Sequence, residues 1–96
     1  METLKEILIK TMQLLKQSKE SDWSPLTPEE VVINLETQIE KLEKNEKIDR
    51  LLLELEFAPT STIQEISLAN GWSREYLKLS SKFDKEIIKI NENSII

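Results

Sequence analysis

Three glutamates spaced four and three residues apart are the nearest approach to a chemical cluster in this chain. Glu36, Glu40 and Glu43 would share one face of a helix, and clustered carboxylates can hold a metal ion. Lysines stand between and beside them at positions 41 and 44, which is the pattern of a solvated helix face. We therefore predict an acidic surface here and no metal site.

The rest of the catalytic inventory is small. The chain has no histidine and no cysteine, so the commonest general base, thiolate nucleophiles and the usual zinc ligands are missing. Its only glycine is Gly71, which leaves no glycine-rich loop to cradle a phosphate. An enzyme would have to use carboxylates, lysine, serine or tyrosine, and no convergent set of these is evident. We predict a non-enzymatic protein without cofactor, metal or small-molecule substrate.

Length and charge narrow the class of protein further. At 96 residues the chain makes one domain. No apolar run approaches the roughly 18 residues of a membrane span, and the N-terminus lacks the pattern of a secretory signal. These features predict a cytoplasmic protein that does not enter a membrane. The net charge of −5 argues against broad nucleic-acid affinity, because such affinity depends on neutralising phosphates.

The charge is unevenly spread along the chain. Residues 1–59 carry 8 basic and 13 acidic side chains, whereas residues 60–90 carry 5 basic and 4 acidic ones. The basic excess in the C-terminal third leaves room there for a contact with DNA.

Hydrophobic periodicity predicts helices throughout. The first helix runs from about Glu2 to Glu20, with leucine, isoleucine and methionine at helical spacing. A linker, SDWSPLTPEE, follows, and its two prolines cannot continue a helix. The second helix then begins with Thr27 as N-cap, Pro28 as the first helical residue and Glu30 closing a capping box.

Two apolar stripes follow Pro28, and they lie on opposite faces. At about 100° per residue the second stripe is rotated by about half a turn from the first. Either one long helix contacts partners on both sides, or the helix breaks. Pairs of opposite charge four residues apart favour continuity by a few tenths of a kcal/mol each, whereas burying one leucine contributes about 1.5–3 kcal/mol. We therefore predict a break or sharp kink at Asn45. The first stripe is Val32, Leu35, Ile39 and Leu42, and the second is Ile48, Leu51, Leu52 and Leu55.

Helix signals in the C-terminal third are strong. Pro59 ends the third helix. The next helix opens with a capping box made either by Thr62 with Glu65 or by Ser61 with Gln64. It closes at Asn70-Gly71, which supplies a left-handed residue. Ser73 then caps the last helix, whose apolar stripe is Tyr76, Leu79, Phe83, Ile87 and Ile90.

Together these segments predict an all-α fold. We expect a small bundle of four to five helices with short capped connections and no sheet. Residues 1–90 form a single helical domain, and residues 91–96 form a frayed C-terminal tail.

The segment IQEISLANGW resembles the corresponding segment of arabinose-regulator-type transcription factors. Ile63, Glu65, Ile66, Gly71 and Trp72 stand in matching places. The resemblance implies a helix-turn-helix over residues 62–90 whose last helix enters the major groove of DNA. The residues that would contact DNA are Ser73, Arg74, Lys78 and Lys82.

The chain departs from that family in the spacing after the turn. In that family one aromatic residue follows the glycine directly, and a second lies five positions after the first. Here Tyr76 lies only four positions after Trp72. The general motif would also bury Leu77 and Ser80, which are not in the strongest apolar stripe. The resemblance covers ten residues of 96.

The leading prediction is a cytoplasmic, all-helical protein that acts through protein–protein interaction, as a regulator, an adaptor or an immunity-type inhibitor. Apolar anchors would give affinity and acidic residues would steer association. The two opposite leucine stripes also predict homodimerisation, and DNA binding through residues 62–90 is the alternative. The predicted aromatic anchors are Trp23, Trp72 and Tyr76. Each of them could instead belong to the core, where Trp23 would close the junction between the first two helices. The predicted partner-binding residues are Trp23, Glu36, Glu40, Glu43, Trp72 and Tyr76.

Overall fold

The computed structural model describes residues 3–19, 26–58 and 61–93, with side chains up to Lys89. This part of the chain folds into five α-helices and contains no strand. The predicted all-α class and helix number are confirmed. None of the described helices combines the length and hydropathy needed to cross a membrane. The helices are α1 (Leu4–Lys16), α2 (Pro28–Glu43), α3 (Arg50–Glu56), α4 (Thr62–Ala69) and α5 (Ser73–Asn93).

The first helix is shorter than its sequence pattern predicts. It starts after Thr3, whose side chain accepts a hydrogen bond from the backbone N–H of Glu6, while the Glu6 carboxylate accepts one from the Thr3 N–H. This capping box fixes the start of α1 and was not part of the sequence prediction. The helix ends at Lys16, and Ser18 donates its hydroxyl to the carbonyl of Leu14 at 2.8 Å.

The second helix begins as predicted and breaks as predicted. Thr27 and Glu30 form the reciprocal capping box, with bonds of 3.2 and 2.8 Å. The helix ends at Glu43, and Asn45 takes a left-handed conformation with φ of 58°. The backbone N–H of Glu46 then bonds to the carbonyl of Lys41 at 2.8 Å, which is the bond pattern of a Schellman turn. The break at Asn45 is therefore confirmed.

The predicted apolar stripe of the third helix is wrong in part. Ile48 is buried and Leu52 is half-buried, but Leu51 and Leu55 are 67% and 62% exposed. The residues that α3 turns inward are Leu53 and Glu56, followed by Phe57 just after the helix.

An aromatic stack explains this rotation of α3. The Phe57 ring stacks on Phe83 of α5, with ring centroids 4.3 Å apart and planes inclined by 9°. Turning Phe57 inward also turns Leu53 inward, because residues four apart share a helix face. Leu51 and Leu55 then lie on the opposite face. Burial of one large aromatic ring therefore outweighs the leucine spacing that the sequence pattern favoured.

The turn between α4 and α5 forms largely as predicted. Of the two predicted capping boxes, only half of the second forms: Ser61 is the N-cap of α4 and its hydroxyl accepts from the N–H of Gln64 at 3.2 Å, but the Ser61 N–H bonds to the carbonyl of Ala58. Gly71 adopts the left-handed conformation with φ of 77°, and the N–H of Trp72 bonds to the carbonyl of Ser67 at 3.0 Å. Ser73 is not a cap: it is the first residue of α5, since the helical ladder already starts from the carbonyl of Trp72.

The core is centred on α1, which packs against both α2 and α5. The α1 and α2 helices run antiparallel and pack mainly on each other, while α5 packs against α1 and α4. The predicted stripe of α5 is buried as far as its side chains are described, through Ile87. The helix continues to Asn93, into the segment 91–96 for which a frayed tail was predicted.

Candidate partner-binding surfaces

Two of the three predicted aromatic anchors lie in the core. Trp72 and Tyr76 are both buried. The Trp72 ring N–H donates to the hydroxyl of Ser18 at 2.8 Å, and the Tyr76 hydroxyl lies 2.9 Å from the carbonyl of Ala58. Burial raises the pKa of Tyr76 above its usual value. Neither ring can contact a partner unless the core opens. Trp23 lies outside the described residues.

The Asn70-Gly71-Trp72 turn clamps the end of α1. The Asn70 side chain accepts a hydrogen bond from the N–H of Lys19 and donates one to the Lys19 carbonyl, each at 2.9 Å. Trp72 reaches Ser18, one residue earlier on the same segment. This part of the helix-turn-helix-like motif therefore joins the N-terminal and C-terminal regions of the chain. Sequence reasoning missed this role, because the partners are about fifty residues apart.

The predicted acidic residues lie along one exposed face of α2. Glu43 pairs with Lys5 of α1 at 3.0 Å, and both side chains are about half exposed. Glu36 and Glu40 are exposed, and neither takes part in the ion pairs found among the described residues. Within the same part of the chain, no three acidic side chains converge as a metal site would require. The carboxylates of Glu36 and Glu40 are therefore exposed and form no ion pair with another described residue.

An apolar cleft lies directly beside these carboxylates. It has a volume of about 400 Å³, and Ile9 and Met12 of α1 face Ile39 of α2 across it. Glu36 and Glu40 form the α2 edge of the cleft. The cleft therefore combines an apolar floor with negative charge on one side.

A second cleft continues along the same pair of helices. It measures about 320 Å³ and lies between Leu15 and Lys16 on the α1 side and Glu29, Val32 and Ile33 on the α2 side. On α2, residues 29, 33, 36 and 40 follow one another at intervals of three or four, so they share one helix face. We call the two clefts together the α1–α2 groove, formed by Ile9, Met12 and Lys16 on α1 and Glu29, Ile33, Glu36, Ile39 and Glu40 on α2.

Ile33 is one of the groove residues that sequence reasoning missed, and the one for which the sequence held a local signal. It is 61% exposed, whereas its neighbours Val31 and Val32 are buried. Three consecutive apolar residues on a helix span about 200°, so at least one of them falls outside a single buried stripe. The run of three apolar residues from Val31 to Ile33 was therefore the sequence signal for an exposed apolar residue in this helix.

Basic residues gather on another face of the molecule. Arg74, Lys78 and Lys82 are exposed on α5, and Ser73 is half-buried. A cleft of about 300 Å³ between α1 and α5 is lined by Lys78 and Lys82 together with Lys10 and Glu75. Leu77, which the general helix-turn-helix motif would bury, is exposed.

The most perturbed ionisable group is a buried carboxyl on α3. Glu56 is only 5% exposed. One of its oxygens accepts a hydrogen bond from the Asn34 amide at 3.2 Å, and the other has no partner. Burial raises the pKa of Glu56 to about 7, and the bond from Asn34 opposes the rise. The buried carboxyl therefore makes the stability of the fold depend on pH.

Comparisons with protein-family models, with curated proteins and with solved structures found no match. The resemblance of residues 63–72 to arabinose-regulator-type transcription factors stays a prediction from the sequence. Inference about function depends on the surfaces described above.

Proposed function

We propose that this chain is a non-enzymatic cytoplasmic protein that binds a basic partner protein through the α1–α2 groove. One observation supports this most directly: the exposed carboxylates of Glu36 and Glu40, which form no ion pair with another described residue, line an apolar cleft.

The two kinds of residue have separate roles in the proposed contact. Apolar side chains such as Met12 and Ile33 supply affinity when a partner removes them from water, at about 25 cal/mol per Å². Glu36 and Glu40 attract a positively charged partner and speed association, an effect that weakens as salt screens the charges. Glu43 contributes less, because Lys5 already neutralises it.

Photocrosslinking from two different positions of the chain, inside the cell that produces the protein, tests this function. A photoreactive amino acid replaces Glu36 in one variant and Asp84, an exposed residue of α5, in another. We expect one protein to be crosslinked at position 36 and absent from the position 84 sample. Equal crosslinking patterns at the two positions, or none at either, would contradict the proposal.

Self-association is a second form of protein–protein interaction, through a different surface, and the exposed leucines of α3 favour it. Leu51 and Leu55 lie one helical turn apart and together present an apolar face. A twofold axis would place this face against its own copy. Light scattering behind gel filtration should then give a dimer mass for the natural chain and a monomer mass for Leu51→Glu with Leu55→Glu. A monomer mass for the natural chain at high concentration would remove this form.

DNA binding is a second candidate function, and the basic row on α5 favours it. Arg74, Lys78 and Lys82 are exposed on one face of that helix. Real phosphate contacts lose affinity steeply as salt rises. Duplex DNA should therefore bind at low salt and dissociate at high salt, and Lys78→Glu with Lys82→Glu should abolish binding. No binding at low salt would eliminate this candidate.

A further inference from the structure

We infer that the α1–α2 groove receives a single amphipathic helix of a partner protein, with its lysine or arginine side chains along the flank that faces α2. This inference rests on the proposed function and specifies the ligand of that same groove.

The apolar contacts of the groove fit a third helix. Ile9 and Met12 are half-buried on one wall, and Ile33 is 61% exposed on the other. Two packed helices leave a hollow between them, and an amphipathic helix fills such a hollow with apolar residues three and four positions apart. An extended strand would gain nothing comparable, because it needs an unpaired sheet edge and the described residues contain no strand.

The charges of the groove are one-sided, and this determines where the guest must be basic. Glu29, Glu36 and Glu40 all belong to α2, whereas the facing α1 wall is apolar at Ile9 and Met12. A guest helix therefore needs basic side chains on one flank only. Arginine suits this role well, because its planar fork can bind a carboxylate with two hydrogen bonds.

Both ends of the groove limit the length of the guest. The Lys5–Glu43 ion pair links α1 to α2 beyond one end, and Lys16 brings positive charge to the other. Between them, the acidic row from Glu29 to Glu40 is about 16 Å long at 1.5 Å per residue. That length corresponds to about three turns of helix.

A second copy of this chain is the strongest competing occupant, since α5 carries basic residues on its exposed face. A contact between α5 of one copy and the groove of the next would join two different surfaces. Such head-to-tail contacts produce open chains of molecules unless the rotation closes a ring. Because such open-ended assembly would give no discrete oligomer, we assign the groove to a different protein.

Binding of a model peptide to the full chain tests this inference. The probe is a peptide of about 14 residues, or four turns, so that three turns can lie along the acidic row and one can extend beyond it. It has leucines on one helix face and lysines on the other. Its counterpart has glutamate in place of every lysine. We expect amide chemical shifts of α1 and α2 groove residues to change with the lysine peptide and to stay constant with the glutamate peptide.

Matched variants separate a specific groove from general attraction. Ile33 and Ile88 are both 61% exposed, on α2 and α5. We expect Ile33→Ala to weaken peptide binding roughly tenfold, which corresponds to about 1.4 kcal/mol, and Ile88→Ala to leave it unchanged. Glu36→Lys with Glu40→Lys should weaken binding by at least roughly tenfold. Glu75→Lys with Asp84→Lys, which makes the same change in net charge, should weaken it much less.

Several results would overturn the inference. They are failure of the lysine peptide to bind, equal binding of the two peptides, equal effects of the Ile33 and Ile88 variants, or formation of chain polymers that fill the groove. Crosslinking at position 36 to a partner that presents no helix would preserve the proposed function while refuting this one. Absence of crosslinking with no peptide binding would refute both.

Discussion

Helices α3 and α5 follow similar turns but differ in which side chains they bury. Each comes after a helix that ends at a left-handed residue, Asn45 before α3 and Gly71 before α5. The α5 helix turns its apolar stripe inward as far as it is described. The α3 helix exposes two leucines and buries a carboxyl instead.

Length explains the difference between the two helices. The α5 helix has 21 residues, and four apolar side chains from Tyr76 to Ile87 lie buried on one face, so burial fixes its rotation by several kcal/mol. The α3 helix has only 7 residues. Its rotation is therefore decided by neighbouring contacts, namely the stack of Phe57 on Phe83 and the bond from the Asp49 N–H to the Gln38 side chain at 2.7 Å.

Substitution of leucines within α3 tests this comparison with the largest expected effect. Leu53 is buried and Leu55, two residues later, is exposed. We expect Leu53→Ala to lower the free energy of unfolding by about 2–5 kcal/mol, because it leaves a cavity. Leu55→Ala should change it by no more than about 0.5 kcal/mol. Urea denaturation of both variants measures the difference, and comparable losses would mean that α3 is rotated differently in solution.

The carboxyl buried by α3 gives the next largest effect, and it depends on pH. The folded-state pKa of Glu56 is about 7, above its ordinary value of 4.5, so the folded chain holds this proton more tightly than the unfolded chain. The contribution of this protonated carboxyl to the free energy of unfolding is fully present below about pH 4.5, and it is lost as the pH rises through about 7. The loss amounts to about 3 kcal/mol at most, at 1.36 kcal/mol per pH unit.

Glu56→Gln isolates this contribution from those of the other carboxylates. Glutamine retains an oxygen that can accept from Asn34 but cannot ionise. We expect the variant to be more stable than the natural chain at pH 8 and to lose most of this advantage by pH 5. Glu54→Gln is the control, since Glu54 is exposed on the same helix and pairs with Arg50. If the free energy of unfolding of both variants depended on pH in the same way, Glu56 would be ionised and solvated in the folded protein.

Local signals predicted most of the turns and caps, although the capping box at Thr3 was missed and Ser73 was wrongly predicted as a cap. Long-range contacts account for most of the rest. The caps at Thr27 and the turns at Asn45 and Gly71 depend on residues within a few positions, so the sequence reveals them. The rotation of α3 depends on Phe83, far along the chain, and so does not follow from the pattern around residue 51. The same limit applies to the candidate site. The acidic row on α2 was predictable, but its apolar cleft needs Ile9 and Met12 from α1.

Substitutions in the turns that precede α3 and α5 should have the smallest effects on the free energy of unfolding. A side chain built at Gly71 would meet no atom within 4 Å, so Gly71→Ala costs only the strain of a left-handed alanine, about 1 kcal/mol. Asn45 already tolerates that conformation at some cost, and Asn45→Gly should raise the free energy of unfolding by a few tenths of a kcal/mol. Thermal and urea denaturation of the two variants measure both changes. A loss of several kcal/mol for Gly71→Ala would mean that this residue also controls the clamp between Asn70 and Lys19, and that the two turns are not equivalent after all.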